Sequence, residues 1–232
     1  MTAPAAIRVL LLMFDEVELL DFAGPYEVLT TANRMAQRLA GNEAPVVNGV
    51  VAPLQLPHFE LVTASPDGRP VLARAGLPLQ PRHRLADAPA CDWLLVPGGV
   101  VNGLLTDAPL LAELQRRASA ASCVASICTG ALVLAAAGVL RDCEATTHWE
   151  DLADLAKLQP GLTLRPDLRW VDTGKVLTSA GIAAGIDLSL HLVRRAGDAA
   201  LAGLGPDSAG SVWARRTARQ LDTPWRDDPL LS

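Results

Sequence analysis

The sequence predicts an α/β fold in which a mostly parallel sheet is covered by helices on both faces. Short apolar runs alternate with longer helical stretches along the chain, which is the pattern that such sheets require. The 232 residues, half of them hydrophobic, also suit one domain with a sizeable core. We therefore expect a single domain over residues 1–232, with a loop or insertion at 41–57 and an extended tail at 224–232.

The predicted strands are apolar runs bounded by glycine, proline or polar residues. They cover residues 7–14, 59–64, 71–74, 77–80, 92–96 and 123–127, followed by a hairpin of 170–172 with 175–178. In parallel sheets ligands bind beyond the carboxyl ends of the strands. The strand ends at Phe14, Val96 and Ile127 are therefore where we expect a site.

The predicted helices carry apolar residues at helical spacing behind a cap or a turn. They cover residues 25–39, 106–118, 130–137, 150–158, 185–195 and 209–220. The first of them opens at Gly24-Pro25, because proline fits the first position of a helix.

Composition and charge exclude several classes of protein. The formal net charge of -5 and the lack of a basic cluster argue against nucleic-acid binding. The apolar run at 9–14 is far shorter than the roughly 20 residues that cross a bilayer, and no signal-peptide pattern accompanies it. The cysteines Cys91, Cys123, Cys128 and Cys143 show no metal-like pairing, so we expect reduced thiols and a cytoplasmic protein.

Cys128 stands between a predicted strand and a predicted helix, in the segment Ser-Ile-Cys-Thr-Gly at 126–130. A sharp turn from strand to helix holds a nucleophile in strained backbone geometry at the edge of a sheet. The free amides of the helix N-terminus favour an anion, so we expect a stabilised, reactive thiolate. Position alone leaves open that Cys128 is a buried structural thiol, the commonest role of a free cysteine.

The segment at 126–138, Ser-Ile-Cys-Thr-Gly followed by Ala-Leu-Val-Leu-Ala-Ala-Ala-Gly, resembles the nucleophile elbow of the ThiJ/PfpI superfamily. Four further motifs match: Leu-Asp-Phe-Ala-Gly-Pro at 20–25, Pro-Gly-Gly at 97–99, Ala-Thr-Thr-His-Trp at 145–149 and Gly-Ile-Ala-Ala-Gly-Ile-Asp at 181–187. Together these motifs resemble the isonitrile hydratase (isocyanide hydratase) branch, and they spread over about residues 7–221.

The resemblance implies a flavodoxin-like three-layer sandwich of the class I glutamine amidotransferase-like group, usually a homodimer. It implies that the cysteine attacks the isonitrile carbon and that water resolves the covalent thioimidate to an N-substituted formamide. Cys128 then carries over as the nucleophile and Asp21 as the general acid/base. The residues that carry over as the lining of the site are Thr129, Gly98, Gly99 and Ile182.

Asp21 also stands out by its own surroundings. It is one of several acids between residues 15 and 27, most of which we expect in solvent. Leu20 and Phe22 place it among apolar groups, and a helix that begins at Pro25 leaves it too early to act as a cap. Burial and a neighbouring thiolate both favour the protonated carboxyl, which can deliver a proton to the attacked carbon.

The histidines have less specific surroundings. We expect His58 and His83 in solvated loops and His191 as a structural residue inside a helix. His148 is the histidine that we place near the site, with a hydrogen-bonded structural role equally open. Proteases of this superfamily have histidine directly after the cysteine, so Thr129 counts against peptidase activity. No spacing indicates a metal ion or a bound cofactor.

The leading hypothesis is a cysteine-dependent hydratase acting on a small-molecule isonitrile. One alternative is a cofactor-free glyoxalase or deglycase, although that class pairs its thiol with glutamate and histidine where this chain has Asp21 and Thr129. Another is a redox sensor that uses the same thiol without a substrate. The sensory domain of a transcription regulator is disfavoured, because only 12 of the 232 residues follow Gln220 and the net charge is negative.

Overall fold

The computed structural model of the chain describes residues 6–47, 50–200 and 208–230. The strands of the central sheet are β1 Ala6–Leu12, β2 His58–Ser65, β3 His83–Arg84, β4 Trp93–Val96, β5 Cys123–Ile127, β6 Trp170–Asp172 and β7 Val176–Ser179. They lie in the order β6-β7-β5-β4-β1-β2-β3, and all neighbours are parallel except β6 and β7. The second half of β1 is fully buried, as expected of a central strand that is covered on both faces.

The helices form two groups, one on each side of the sheet. Their bounds are α1 Leu19–Leu39, α2 Ala108–Ala120, α3 Gly130–Ala136, α4 Leu152–Leu158, α5 Ala184–Ala200 and α6 Ala209–Gln220. Helices α1, α5 and α6 pack against one another, and α3 packs against both α2 and α4. The predicted three-layer, flavodoxin-like α/β arrangement is thereby confirmed.

Trp213 of α6 ties helix α1 to the sheet. Its indole N–H donates a 2.7 Å hydrogen bond to the carbonyl of Ala32 in α1. Its ring stacks on Phe59 of β2, with 5.2 Å between the ring centroids. Both rings are fully buried, and burial of large aromatic side chains contributes several kilocalories per mole to a core of this kind. Helix α1, which carries Asp21 in its first turn, is therefore connected to the sheet at Ala32.

Helix α1 begins at Leu19, six residues earlier than predicted. The prediction took Pro25 as a start signal, but Pro25 is the seventh residue of the helix. Proline inside a helix removes one backbone hydrogen bond, and the burial of Phe22 and Leu29 on the core side of α1 offsets that loss. The predicted start was wrong, and Asp21 consequently lies in the first turn of the helix.

Other elements differ from prediction in smaller ways. Within 41–57, Val46–Val47 pairs antiparallel with Val50–Val51, and the two residues between them lie outside the described part of the chain. His58 and His83, predicted in loops, belong instead to β2 and β3. Strand β3 has two residues, too few to show any periodicity in the sequence.

The remaining differences lie nearer the C-terminus. Helix α4 begins only at Leu152, after a 3-10 turn at Trp149–Asp151. Residues 224–230 of the predicted tail form neither helix nor strand, apart from a bridge between Leu168 and Leu230. Two predictions concern the far ends of the chain, a tail that reaches residue 232 and an N-terminus without a signal peptide. Both fall partly outside the described residues. Among the helices that are described, none has the length and apolar character to span a membrane.

Candidate active site

Three neighbouring strand ends bring the predicted site residues together. Strands β5, β4 and β1 lie side by side and run parallel, so their carboxyl ends share one edge of the sheet. Cys128 follows β5, and Gly98 and Gly99 follow β4 after a single proline. Strand β1 leads through residues 13–18 into α1, where Asp21 occupies the first turn.

Cys128 sits on a strained turn. Its φ of 54° is in the left-handed region, which a side chain with a Cβ rarely adopts. The backbone on both sides is fixed: the N–H of Cys128 donates to the carbonyl of Ser179 at 3.2 Å, and its carbonyl accepts from the Thr147 hydroxyl at 2.8 Å. Gly130 begins α3 so close to β4 that a Cβ there would collide with the carbonyls of Val96 and Pro97. These contacts give the sharp elbow that the sequence predicts.

The Asp21 carboxyl and the Cys128 thiol are neighbours, and each affects the pKa of the other. Asp21 is 1% exposed and Cys128 is 7% exposed, so the pair is almost sealed from bulk water. Oδ2 of Asp21 also accepts from the N–H of Gly98 at 3.1 Å. Oδ1 has no hydrogen-bond partner within the described residues, although it is buried. A buried carboxyl oxygen without a partner is costly, so this atom calls for an explanation.

Burial changes the acidity of both groups. It raises the pKa of Asp21 from 3.8 to about 7, and the nearby Glu18 adds to the effect, while the hydrogen bonds from Gly98 and Cys128 oppose it. Burial, followed by the charge of Asp21, raises the pKa of Cys128 from 9.0 to about 12. The expected stabilised thiolate is therefore not the resting state, because desolvation outweighs the start of α3. Between these two values, the pair holds one proton that the two residues share.

Thr129 and the two glycines form a tight support under the pair. The Thr129 hydroxyl accepts from the N–H of Gly99 at 2.8 Å and donates to its carbonyl at 2.9 Å. A Cβ on Gly98 would lie 2.6 Å from Thr129 and 2.8 Å from Oδ2 of Asp21. The N–H groups of Gly98 and Gly99, residues predicted to line the site, donate to Asp21 and Thr129. The backbone N–H groups that lower the pKa of the Cys128 thiol are those of Thr129 and Ile182.

His148 lies beside the loop that holds Ile182. Its ring packs on Gly181, where a Cβ would come within 2.5 Å of the imidazole. On its other side, Nδ1 lies 3.3 Å from a carboxylate oxygen of Asp151 and 3.4 Å from the N–H of Glu150. The histidine is therefore near the site, as predicted, and it also caps the following turn. Within the described residues, no cluster of histidine, cysteine and acidic side chains is arranged to hold a metal ion.

Sequence reasoning missed two residues of the site. Thr147, whose hydroxyl holds the Cys128 carbonyl, lies in the same Ala-Thr-Thr-His-Trp motif that singled out His148. Asp151 contributes to the electrostatic field at the Cys128 sulfur, yet it stands in an ordinary acidic turn with no pattern to mark it. The motif offered a signal for Thr147, whereas only the folded chain places Asp151.

Comparisons with known proteins place this chain among relatives of similar sequence. The DJ-1/PfpI family profile matches residues 7–195. Isonitrile hydratase from Pseudomonas putida is 34% identical over 190 residues, which cover 82% of this chain and 72% of that protein. The HTH-type transcriptional regulator GbdR from Pseudomonas aeruginosa (strain UCBPP-PA14) is 32% identical over 79% of this chain, which spans 45% of the regulator.

A solved structure supports the fold. The crystal structure of a ThiJ/PfpI family protein from Pseudomonas syringae matches with a TM-score of 0.73. The match covers 99% of this chain and 79% of that chain at 22% sequence identity. At that identity, the likeness concerns the arrangement of helices and strands and not the activity.

Proposed function

The chain belongs to the DJ-1/PfpI family, and from that premise we propose that it is a cysteine-dependent hydratase that converts an organic isonitrile into an N-substituted formamide. The observation that carries the proposal is the buried pair of Cys128 and Asp21. One oxygen of the Asp21 carboxyl has no hydrogen-bond partner among the described residues. Such a pair can form a bond from sulfur and move a proton in the same step. The similarity to isonitrile hydratase supports the substrate class.

The first step joins sulfur to carbon. The thiol proton of Cys128 passes to the Asp21 carboxylate while the sulfur attacks the terminal carbon of the isonitrile. The carbon–nitrogen triple bond becomes a double bond, and the electron pair left on carbon takes the proton from Asp21. The product is a thioimidate, with the whole substrate attached to sulfur and no group lost. Asp21 acts as base and then as acid, which a pKa near neutrality allows.

The second step adds water and releases the sulfur. Water attacks the thioimidate carbon and gives one proton to Asp21, which passes this proton to the nitrogen. The carbon–sulfur bond then breaks as the new hydroxyl becomes the formyl carbonyl, and the sulfur recovers a proton through Asp21. One water is consumed for each formamide formed. The N–H groups of Thr129 and Ile182 stabilise the negative charge that gathers on sulfur as it leaves.

An assay of formamide formation from cyclohexyl isonitrile tests the proposal. We expect turnover by the wild-type chain, none by Cys128→Ala, and a loss of roughly 10²–10⁴-fold in Asp21→Asn. Cys143→Ala is the matched control, because Cys143 is a free thiol that makes no contact with the pair and should leave turnover unchanged. Turnover that survives in Cys128→Ala would contradict the proposal. Consumption of methylglyoxal without turnover of the isonitrile would indicate an enzyme that acts on reactive carbonyls.

Similarity to GbdR favours a second candidate, a domain that binds a small molecule at this site and reports on it without turnover. The same fold and the same pocket suit either role. Calorimetry separates the two: reversible binding of an isonitrile, with the ligand recovered unchanged, would favour the sensor over the hydratase.

A further inference from the structure

A cavity of about 500 Å³ opens beside the Cys128 elbow. Thr129, which directly follows the nucleophile in the chain, is part of its lining. Its apolar lining comes from Val101, Leu105, Leu132 and Leu158, which belong to the segment after β4 and to α3 and α4. Small-molecule sites span roughly 300–1,000 Å³, so this volume exceeds what the two atoms of an isonitrile group need. The remaining space is available to the substituent on nitrogen.

One wall of this cavity carries a negative charge that no lysine or arginine balances. Asp154 and Lys157 also line the cavity, but they pair with each other at 2.9 Å. Asp151 is half-buried, and in the described part of the chain its ionic neighbour is His148 at 3.3 Å. Nδ1 of His148 accepts the N–H of Glu150, so this nitrogen does not donate a proton to Asp151 and leaves the negative charge of its carboxylate in place.

Asp151 also acts on the nucleophile. After burial and the charge of Asp21, its carboxylate is a further cause that raises the pKa of Cys128. A positive group placed next to Asp151 would cancel this effect at the moment when the sulfur must give up its proton. Binding of a cation in the cavity would therefore improve both the affinity for the substrate and the reactivity of the thiol.

We propose that the cavity selects isonitriles whose substituent is an apolar chain ending in a positively charged group, with the cation beside Asp151 and the isonitrile carbon at Cys128. The inference rests on the proposed hydratase function and adds the substrate class to it. Anionic substituents are disfavoured by the same carboxylate, and short uncharged ones leave most of the cavity unused.

The test uses matched pairs of synthetic substrates. Each ω-(dimethylamino)alkyl isonitrile, with spacers of three to six methylenes, is compared with the neutral isostere in which C–H replaces the amine nitrogen. We expect at least one cationic member to exceed its isostere by about tenfold in kcat/KM, the effect of one well-placed ionic contact. In Asp151→Asn the ratio should fall to near one. Glu150→Gln removes the same charge from an exposed neighbour outside the cavity lining and should keep the wild-type ratio.

The experiment distinguishes a failure of the proposed selectivity from a failure of the proposed hydratase function. Turnover of methyl isonitrile with no preference for any cationic substrate, or a preference that persists in Asp151→Asn, overturns the selectivity and leaves the hydratase standing. No turnover of any isonitrile, methyl isonitrile included, overturns the hydratase and this inference with it. Thermal unfolding of each variant confirms that a changed ratio does not come from a misfolded protein.

Discussion

Asp21 is a buried carboxyl whose ionisation lowers the stability of the folded chain. Its pKa is raised from 3.8 to about 7 in the folded chain, so the folded state holds a proton that the unfolded state loses between these values. Stability therefore falls as the pH rises through this window, and the full penalty applies above pH 7. The difference between the two pKa values corresponds to roughly 4 kcal/mol in the free energy of unfolding.

Asp21→Asn should remove this penalty. The amide oxygen of asparagine can still accept from the N–H of Gly98, and the side chain carries no charge. We expect the variant to be more stable than the wild type by up to roughly 4 kcal/mol at pH 8, with the difference vanishing below pH 4. Urea unfolding at the two pH values measures it. Equal free energies of unfolding for the wild type and Asp21→Asn at pH 8 would show that ionised Asp21 does not destabilise the fold.

The rate of turnover should depend on the same ionisation of Asp21, but it should rise with pH where stability falls. Below pH 7 both Asp21 and Cys128 are protonated, and no group can accept the thiol proton. We expect kcat/KM for an isonitrile to rise with pH through about 7 as the pair loses its first proton. Asp21→Asn should lack that inflection. A profile that is flat between pH 5.5 and 8.5 in the wild type would contradict the shared proton.

At the scale of elements, the segment after β4 places the catalytic pair. Gly98→Ala would put a methyl group 2.6 Å from Thr129 and 2.8 Å from the carboxylate of Asp21. We expect a destabilisation of roughly 1–3 kcal/mol and a loss of most activity, because the strain falls on the hydrogen bonds of the site. Gly103→Ala is the matched control, since a Cβ there meets nothing within 4 Å. Equal activity of the two variants would show that the close approach is unimportant.

Elements with a clear pattern could be read from the sequence. Strand β5 and helix α6 have the predicted bounds, because each is long enough to show its periodicity between clear breakers. The start of α1 was wrong, since tertiary packing of Phe22 overrode the signal from Pro25. That error concealed the position of Asp21 in a helix, although its apolar neighbours already marked it as buried.

The whole molecule builds the site from parts that are distant in sequence. Motifs predicted Cys128, Asp21 and Thr129 correctly as neighbours, because parallel strand ends must meet at one edge of the sheet. The acidity of Cys128 was not predictable in this way. The pKa of Cys128 depends on how deeply the folded chain buries the thiol and on the charge of Asp21, neither of which a local pattern contains.

The surface near the site leads to an expectation about assembly. Leu20, Trp149 and Ile182 are exposed apolar residues on segments that hold Asp21, His148 and Cys128. From the resemblance we expect a homodimer, and burial of such residues would help to stabilise one. Sedimentation velocity at micromolar concentration should give the mass of two chains, and Leu20→Glu should shift the population toward monomer. A wild-type monomer would refute the expectation.

Observation of the covalent intermediate on Cys128 tests the proposed mechanism most directly. The wild-type chain is mixed with a stoichiometric amount of cyclohexyl isonitrile and quenched in acid at intervals. The mass of the intact protein is then measured by mass spectrometry. We expect a transient gain of the full substrate mass, mapped to Cys128 in peptides, which decays as N-cyclohexylformamide forms. Formamide that appears without any adduct on Cys128, or an adduct that forms equally in Cys128→Ala, would contradict the mechanism.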